Sequence, residues 1–79
     1  MMKDWAVYTI ERPSEDNPDG EFEALPFDEA KEPDDKIVSH GDLRWLRHYD
    51  GQHFIREASI VSAATETEAI NKVRKQLTR

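Results

Sequence analysis

Alternating and clustered apolar residues predict two strands near the start of the chain. Residues 5–10 combine aromatic and β-branched side chains, which favours a strand that ends before Pro13. Residues 21–25 begin with alternating charged and apolar side chains and are followed by Pro26, which is typical of a short strand at a sheet edge. Residues 13–20 lie between these strands and are dense in proline, aspartate and glycine, so we expect a loop there.

Residues 43–49 fit either a strand or a short helix capped by Asp42. We favour the strand because Asp50 and Gly51 follow, and an Asp-Gly pair between two such runs is a strong hairpin signal. Residues 53–61 then form the returning strand. The predicted strand divides its side chains between two faces, with Arg44, Leu46 and His48 on one and Leu43, Trp45 and Tyr49 on the other.

The end of the chain predicts a helix. Thr65 and Glu68 have the spacing of a capping box, in which each side chain satisfies a free backbone N–H group of the other residue. The apolar residues then fall on one stripe, formed by Ala69, Ile70, Val73 and Leu77. Charges suit the helix dipole, with Glu66 and Glu68 at its positive end and Lys75 and Arg79 at its negative end. The fold is therefore predicted to be α+β, with a small antiparallel sheet of three to four strands and one C-terminal helix packed on one face.

Charge divides this chain more sharply than hydrophobicity does. Residues 1–35 carry twelve acidic and three basic residues, a net charge of −9, and they contain all four prolines. Residues 36–79 carry eight basic and five acidic residues, a net charge of +3. Residues 12–35 are interpreted as an acidic, proline-rich loop segment that includes the short strand and, at residues 28–31, one helical turn that Pro33 prevents from continuing. Such asymmetry points to a charged partner or to internal pairing rather than to a reaction.

Length and composition narrow the class of protein. With 79 residues, 37% apolar content and 35% charged content, the chain is predicted to be a single small domain, residues 1–79, with little apolar surplus for a deep pocket. It has no cysteine, which excludes disulfides, thiolate metal sites and cysteine nucleophiles. No apolar run is long enough to span a membrane, and the N-terminus lacks an apolar signal core, so we expect a cytoplasmic protein with no membrane partner.

No pattern of residues indicates catalysis, a metal or a cofactor. The seventeen acids lie mainly in a segment expected to be solvated, and no sequence feature marks one of them as buried for acid–base work. His48 and His53 flank the predicted hairpin turn and His40 lies before it, but their spacing matches no standard set of metal ligands. We therefore predict a protein that is not an enzyme and that has no catalytic residue, resident metal or cofactor.

The hairpin offers one alternative function. Basic and aromatic side chains alternate there, and on a sheet they would resemble a platform for single-stranded nucleic acid, formed by Arg44, Trp45, Arg47 and Arg56. The competing interpretation is that Trp45 belongs to the core and the arginines pair with the acidic segment. A net charge of −6 argues against direct nucleic-acid binding by the whole molecule.

The acidic segment has two interpretations of equal weight, a solvated loop and a negative surface that imitates nucleic-acid phosphates. In the second, the partner is a protein with a basic groove, most simply one that handles nucleic acid. The predicted partner-binding carboxylates are Glu15, Asp16, Asp19, Glu21, Glu23, Asp28 and Glu29. Phe22 and Phe27 are predicted as apolar anchors, unless they cap the core instead. A homodimer would cover an apolar sheet face that contains Trp5 or Trp45.

Two resemblances extend this hypothesis. Residues 8–11 and 19–26, followed by Thr65-Glu66-Thr67-Glu68-Ala69, resemble the opening strands and helix start of HicB-type antitoxins, which implies an antitoxin-like regulator. The chain departs from that family because about forty residues intervene where the family has a few. In general profile the chain is similar to the small inhibitors of bacteriophages and mobile elements, including anti-CRISPR proteins. That likeness implies a non-enzymatic inhibitor or modulator of host machinery.

Overall fold

Five antiparallel strands form one sheet in the computed structural model, which describes residues 1–78. The strands are β1 (Lys3–Glu11), β2 (Glu21–Pro26), β3 (Lys36–His40), β4 (Leu43–Asp50) and β5 (His53–Ala63). A helical turn, α1 (Phe27–Ala30), precedes β3, and the helix α2 (Glu66–Leu77) follows β5. The strand order across the sheet is β2-β1-β5-β4-β3. The predicted α+β class with a C-terminal helix is therefore confirmed.

The predicted strand count of three to four was too low because Lys36–His40 forms a fifth strand. Gly41 and Asp42 make a two-residue turn between β3 and β4, with Gly41 at a φ of 60°. Glycine with positive φ at the first turn position is typical of a type II′ hairpin. The turn from β4 to β5 has the same form and lies one residue later than predicted, at Gly51 and Gln52, since Asp50 pairs with His53.

Side chains from the two faces of the sheet form two separate core clusters. On the face that packs against α2, here called the helix face, the buried cluster consists of Trp5, Val7, Ala24, Val61, Ala63, Ala69 and Val73. On the other side, here called the opposite face, it consists of Ala6, Tyr8, Ala30, Leu46, Ala58 and Ile60. Ala30 brings α1 into the second cluster, so the short turn contributes to the core. Burial on both faces is the source of most of the stability expected for so small a sheet.

Helix α2 forms where its sequence pattern predicted it, but only one of the two predicted capping-box bonds is present among the described residues. The Glu68 carboxylate lies 3.9 Å from Lys72 Nζ and makes no hydrogen bond to the Thr65 N–H. The Thr65 hydroxyl accepts a hydrogen bond of 3.2 Å from the backbone N–H of Glu68, and Ala69 and Val73 are buried against the sheet. The predicted contribution of Arg79 at the helix end lies outside the described residues. Helix α2 packs mainly across β1, β2 and β5, which leaves the helix face of β3 and β4 largely uncovered. Within residues 1–78, no helix is both long enough and apolar enough to cross a membrane.

Candidate functional site

The carboxylates predicted to contact a partner lie on three consecutive segments that end at α1. All seven are exposed, and together they are called here the acidic surface: Glu15, Asp16, Asp19, Glu21, Glu23, Asp28 and Glu29. The first three lie in the loop of residues 12–20, the next two on the edge strand β2, and the last two on α1. Four of the seven carboxylates therefore lie on regular secondary structure.

Four carboxylates of the acidic surface lie on the opposite face of the sheet. Phe22 and Ala24 contact the cluster on the helix face, so Glu21 and Glu23, which alternate with them, lie on the opposite face. Ala30 holds α1 against that same opposite face, with Asp28 and Glu29 exposed on the turn. Four carboxylates thus share one side of the sheet at its β2 edge.

The second half of the loop before β2 is held to the rest of the molecule by two hydrogen bonds. The Asn17 side-chain amide donates a hydrogen bond of 2.7 Å to the Glu11 carboxylate at the end of β1. The Arg74 guanidinium, on α2, donates one of 2.8 Å to the backbone carbonyl of Asp19. Arg74 therefore holds the acidic segment through its backbone and leaves the Asp19 carboxylate free of this contact.

Within residues 1–78, no carboxylate of the acidic surface has a cationic group within the 4.0 Å of an ion pair. Three basic side chains of the sheet and of α2 pair with other acids: Arg44 with Asp4 at 3.5 Å, Arg47 with Glu57 at 3.2 Å and Lys72 with Glu68 at 3.9 Å. The negative charge of the acidic surface is therefore not neutralised by neighbouring side chains. An exposed, uncompensated and positioned set of carboxylates is suited to charge-assisted contacts with arginine or lysine.

The two phenylalanines of the acidic segment contribute to the core. Phe22 is half-buried against the helix-face cluster, and the Arg74 guanidinium lies 5.5 Å from the centre of its ring. Phe27 is half-buried against the opposite-face cluster. These contacts agree with the interpretation that both rings cap the core. Their use as anchors for a partner stays a prediction that applies to the exposed part of each ring.

The alternative nucleic-acid residues do not share one surface. Trp45 and Arg47 lie on the helix face. Arg44 lies on the opposite face because it alternates with Trp45 along β4, and Arg56 lies there because it pairs with His48. Arg44 is paired with Asp4, as described above. Arg56 places its guanidinium 4.3 Å from the centre of the Tyr8 ring. The four residues are therefore split into two pairs, and only the Trp45–Arg47 pair lies on the helix face of β4, which α2 leaves largely uncovered.

A buried polar network was not predicted from the sequence. Asp35 Oδ2 lies 2.8 Å from His48 Nδ1, and both side chains are almost fully buried. His48 Nε2 in turn lies 2.5 Å from the Tyr8 hydroxyl, and the two rings stack with their centres 5.6 Å apart. The Asp35–His48 contact lacks good hydrogen-bond alignment, and Asp35 Oδ1 has no hydrogen-bond partner. The network links the segment after α1 to the middle of the sheet.

The electrostatics of this network favour a neutral tyrosine. Burial raises the pKa of the Tyr8 phenol above its usual value, and the nearby Arg56 opposes this shift. The carboxylates of Asp35, Glu23 and Glu32 add to the increase. A phenol with a raised pKa keeps its proton at neutral pH and is a poor nucleophile or base. The network therefore has the character of a structural tie between β1, β4 and residue 35.

One member of this network, His48, could be recognised from the sequence as a candidate for burial. His48 shares the opposite face with Leu46 in the predicted strand, and Leu46 is fully buried, so His48 was a candidate for burial. Nothing in the local sequence pattern predicts burial of Asp35, because its partner His48 is thirteen residues away on β4. His53, by contrast, is exposed at the hairpin end. Among residues 1–78, no three His, Asp or Glu side chains are grouped in a way that would hold a metal ion.

Compared with known proteins, the chain matches no protein-family model, no curated protein and no solved structure.

Proposed function

We propose that this chain is a non-enzymatic binding protein that inhibits or modulates a protein which handles nucleic acid. In this proposal the acidic surface enters a basic groove of the partner in place of nucleic-acid phosphates. The partner is intracellular, and the chain acts as phage or mobile-element inhibitors of host machinery do. The observation that carries the proposal is that seven exposed carboxylates lie along residues 15–29 and that none of them has an ion-pair partner among the described residues.

Positioning of the charge supports a recognition surface over a solvated tail. Glu21 and Glu23 are held by the pairing of β2 with β1, and Asp28 and Glu29 by α1. Because the backbone that carries these carboxylates is already ordered, binding would lose less conformational entropy than binding of a flexible acidic chain. Opposite charge on the partner would also speed association and make binding sensitive to salt.

The buried network supports a non-enzymatic role. Tyr8, His48 and Asp35 are the residues whose types most resemble a catalytic relay, yet Tyr8 and His48 are buried. The raised pKa of Tyr8 keeps its hydroxyl protonated. Their burial favours a role in stability of the fold over a catalytic one.

Two variants with the same change in net charge test the proposal. The surface variant combines Glu21→Gln, Glu23→Gln, Asp28→Asn and Glu29→Gln. The control variant combines Asp42→Asn, Asp50→Asn, Glu57→Gln and Glu66→Gln, all in residues 36–79. Each is immobilised beside the unchanged protein and exposed to host lysate at low and high salt, and the bound proteins are identified by mass spectrometry.

We expect the unchanged protein and the control variant to retain the same nucleic-acid-handling protein at low salt, and the surface variant to lose it. Added single- or double-stranded nucleic acid should release that protein, since both ligands use one groove. Binding that survives high salt, that the surface variant keeps, or that nucleic acid does not compete with would contradict the proposal.

A second candidate function is binding of single-stranded nucleic acid on the helix face of β3 and β4. The observation that favours it is that Trp45 and Arg47 share this uncovered face with Lys36, which lies opposite Arg47 in the strand pairing. Two open cavities of about 280 and 370 Å³ both include Trp45 in their lining. A gel-shift experiment with single- and double-stranded probes tests it, and no shift at about 50 mM salt, where phosphate contacts are strong, would exclude it.

A further inference from the structure

The two edges of the sheet differ in how well they are protected against pairing with another strand. The β2 edge carries the exposed carboxylates of Glu21 and Glu23 and ends in Pro26, which has no N–H to donate. The β3 edge contains no proline and no acidic residue. It exposes Ile37, with 52% of its surface accessible, next to half-buried Val38. Charged residues and proline normally block pairing at a sheet edge. In β3 the only such residue is Lys36, at its first position.

We propose that β3 is a self-association edge, through which two copies of this chain pair antiparallel about a two-fold axis. The two five-stranded sheets would then form one continuous sheet. This inference concerns a surface outside the acidic surface and does not rest on the proposed function. The unpaired backbone N–H and C=O groups of β3 would be satisfied by the same groups of the second copy, as in other strand additions.

Charge selects a second copy through β3 over the other edge pairings. Pairing of β2 with β2 of another copy would place the carboxylates of Glu21 and Glu23 against one another, and like charges on paired strands are destabilising. Pairing of β2 with β3 would be head-to-tail and would extend into an open fibre rather than a closed dimer. Pairing of β3 with β3 closes after two copies.

Distance also favours the β3 edge. Strand β2 lies four strand spacings from β3 in the sheet, roughly 19 Å at 4.8 Å per spacing. That separation exceeds the Debye length of about 8 Å at physiological salt. The acidic surfaces of the two copies would therefore lie at the far ends of the joined sheet, where their mutual repulsion is screened.

The bounds of β3 fix the register of the pair. A two-fold axis at Val38 pairs all five residues of Lys36–His40, and any other centre pairs fewer. Val38 then lies opposite Val38 of the second copy, Ile37 opposite Ser39, and Lys36 opposite His40. Burial of Ile37 and Val38 against the second copy supplies an apolar contribution in addition to the backbone hydrogen bonds.

Sedimentation equilibrium over a wide concentration range tests the association. We expect the unchanged protein to form dimers and no larger species, and Ile37→Lys to shift the monomer–dimer midpoint at least tenfold to higher concentration. The matched control is Ile10→Lys, because Ile10 is 55% exposed, close to the 52% of Ile37, and lies on β1. It should leave the midpoint unchanged. A wild-type protein that stays monomeric at millimolar concentration, or an Ile37→Lys protein that still dimerises normally, would overturn the proposal.

Cross-linking then tests the register. The chain contains no cysteine, so a single introduced cysteine can bridge only to its counterpart in the second copy. Val38→Cys should form a disulfide-linked dimer under mild oxidation, because directly opposite residues have Cα atoms about 4.5–5.5 Å apart, within disulfide range. Ser39→Cys should cross-link far more slowly, since its counterpart is displaced along the strand. Equal or reversed efficiencies would show that the copies do not pair as proposed.

Introducing a charge at position 40 tests the register by strengthening the dimer rather than by weakening it. His40→Glu would place a carboxylate opposite Lys36 of the second copy twice per dimer, so we expect dimerisation to tighten severalfold. His40→Lys should weaken it by a similar factor. Weaker dimerisation of His40→Glu together with tighter dimerisation of His40→Lys, or no effect from either substitution, would contradict the register. Circular dichroism of each variant confirms that the monomer remains folded.

Discussion

Single buried polar side chains hold the segment after α1 to the sheet. The Asp35 carboxylate is fully buried beside His48, and the neighbouring Asp34 carboxylate accepts a hydrogen bond of 3.0 Å from the Gly51 N–H. We predict that Asp35→Ala lowers the free energy of unfolding by about 2 kcal/mol, because it leaves the buried His48 Nδ1 without its neighbouring carboxylate. Urea denaturation monitored by tryptophan fluorescence measures the change.

The control for this prediction is Asp28→Ala, which changes an exposed carboxylate a few residues earlier in the chain. It should alter the free energy of unfolding by less than about 0.5 kcal/mol, as most surface substitutions do. Equal effects of the two substitutions would mean that Asp35 is not held in the buried pair.

The raised pKa of Tyr8 predicts a loss of stability in alkali. An unfolded tyrosine ionises near its ordinary pKa of 10.0, whereas folded Tyr8 keeps its proton to higher pH. The stabilising contribution of Tyr8 is therefore complete below pH 10 and is lost as pH rises through its folded pKa, because the unfolded state releases its proton first. Urea midpoints measured on either side of pH 10 should fall more steeply for the unchanged protein than for Tyr8→Phe. Parallel curves for the two proteins would contradict the raised pKa.

At the scale of elements, the cap of α2 makes a measurable contribution. The Thr65 hydroxyl accepts the Glu68 N–H at 3.2 Å, so Thr65→Ala should destabilise the protein by about 1 kcal/mol. Thr67→Ala is the matched control, since Thr67 is exposed in the first turn and alanine has the higher helix propensity. The control should be neutral or slightly stabilising in thermal denaturation. A larger loss from Thr67→Ala than from Thr65→Ala would be inconsistent with the assigned cap.

The elements that could be predicted are those with a local signal. Helix α2 was predicted from its cap and apolar stripe, and the β4–β5 hairpin from a turn glycine between two runs of strand-forming residues. Strand β3 was missed although Gly41-Asp42 has a similar turn glycine, because only Ile37 and Val38 in its five residues favour a strand. The Asp35–His48–Tyr8 network could not be predicted, since its members come from three separate parts of the chain and meet only after the sheet forms. The sequence predicted that some acidic residues lie on a short strand and a helical turn. The division of the hairpin arginines between the two faces could be assigned only from the strand pairing.

At the scale of the whole molecule, charge is separated across the fold. The −9 of residues 1–35 is concentrated in the β2 edge, α1 and their loops, whereas many of the basic groups lie on β4, β5 and α2. Intramolecular pairing would have been stabilising, yet the carboxylates of the acidic surface have no ion-pair partner within residues 1–78. Such an arrangement costs stability through repulsion between like charges, and functional surfaces commonly carry that kind of cost.

This separation predicts that neutralising the acidic surface stabilises the free protein. At low ionic strength, the surface variant defined above should have a free energy of unfolding roughly 1 kcal/mol higher than the unchanged protein, because several like-charge repulsions are removed. The difference should shrink toward zero in about 1 M salt, where the Debye length is about 3 Å. The control variant should show no such gain, since it removes carboxylates from the half of the chain whose net charge is +3. Urea denaturation of the three proteins at both salt concentrations measures these differences. If the surface variant is instead less stable at low salt, the carboxylates that it lacks have favourable electrostatic partners within the folded chain. That result would contradict an acidic surface that is left unpaired for a binding partner.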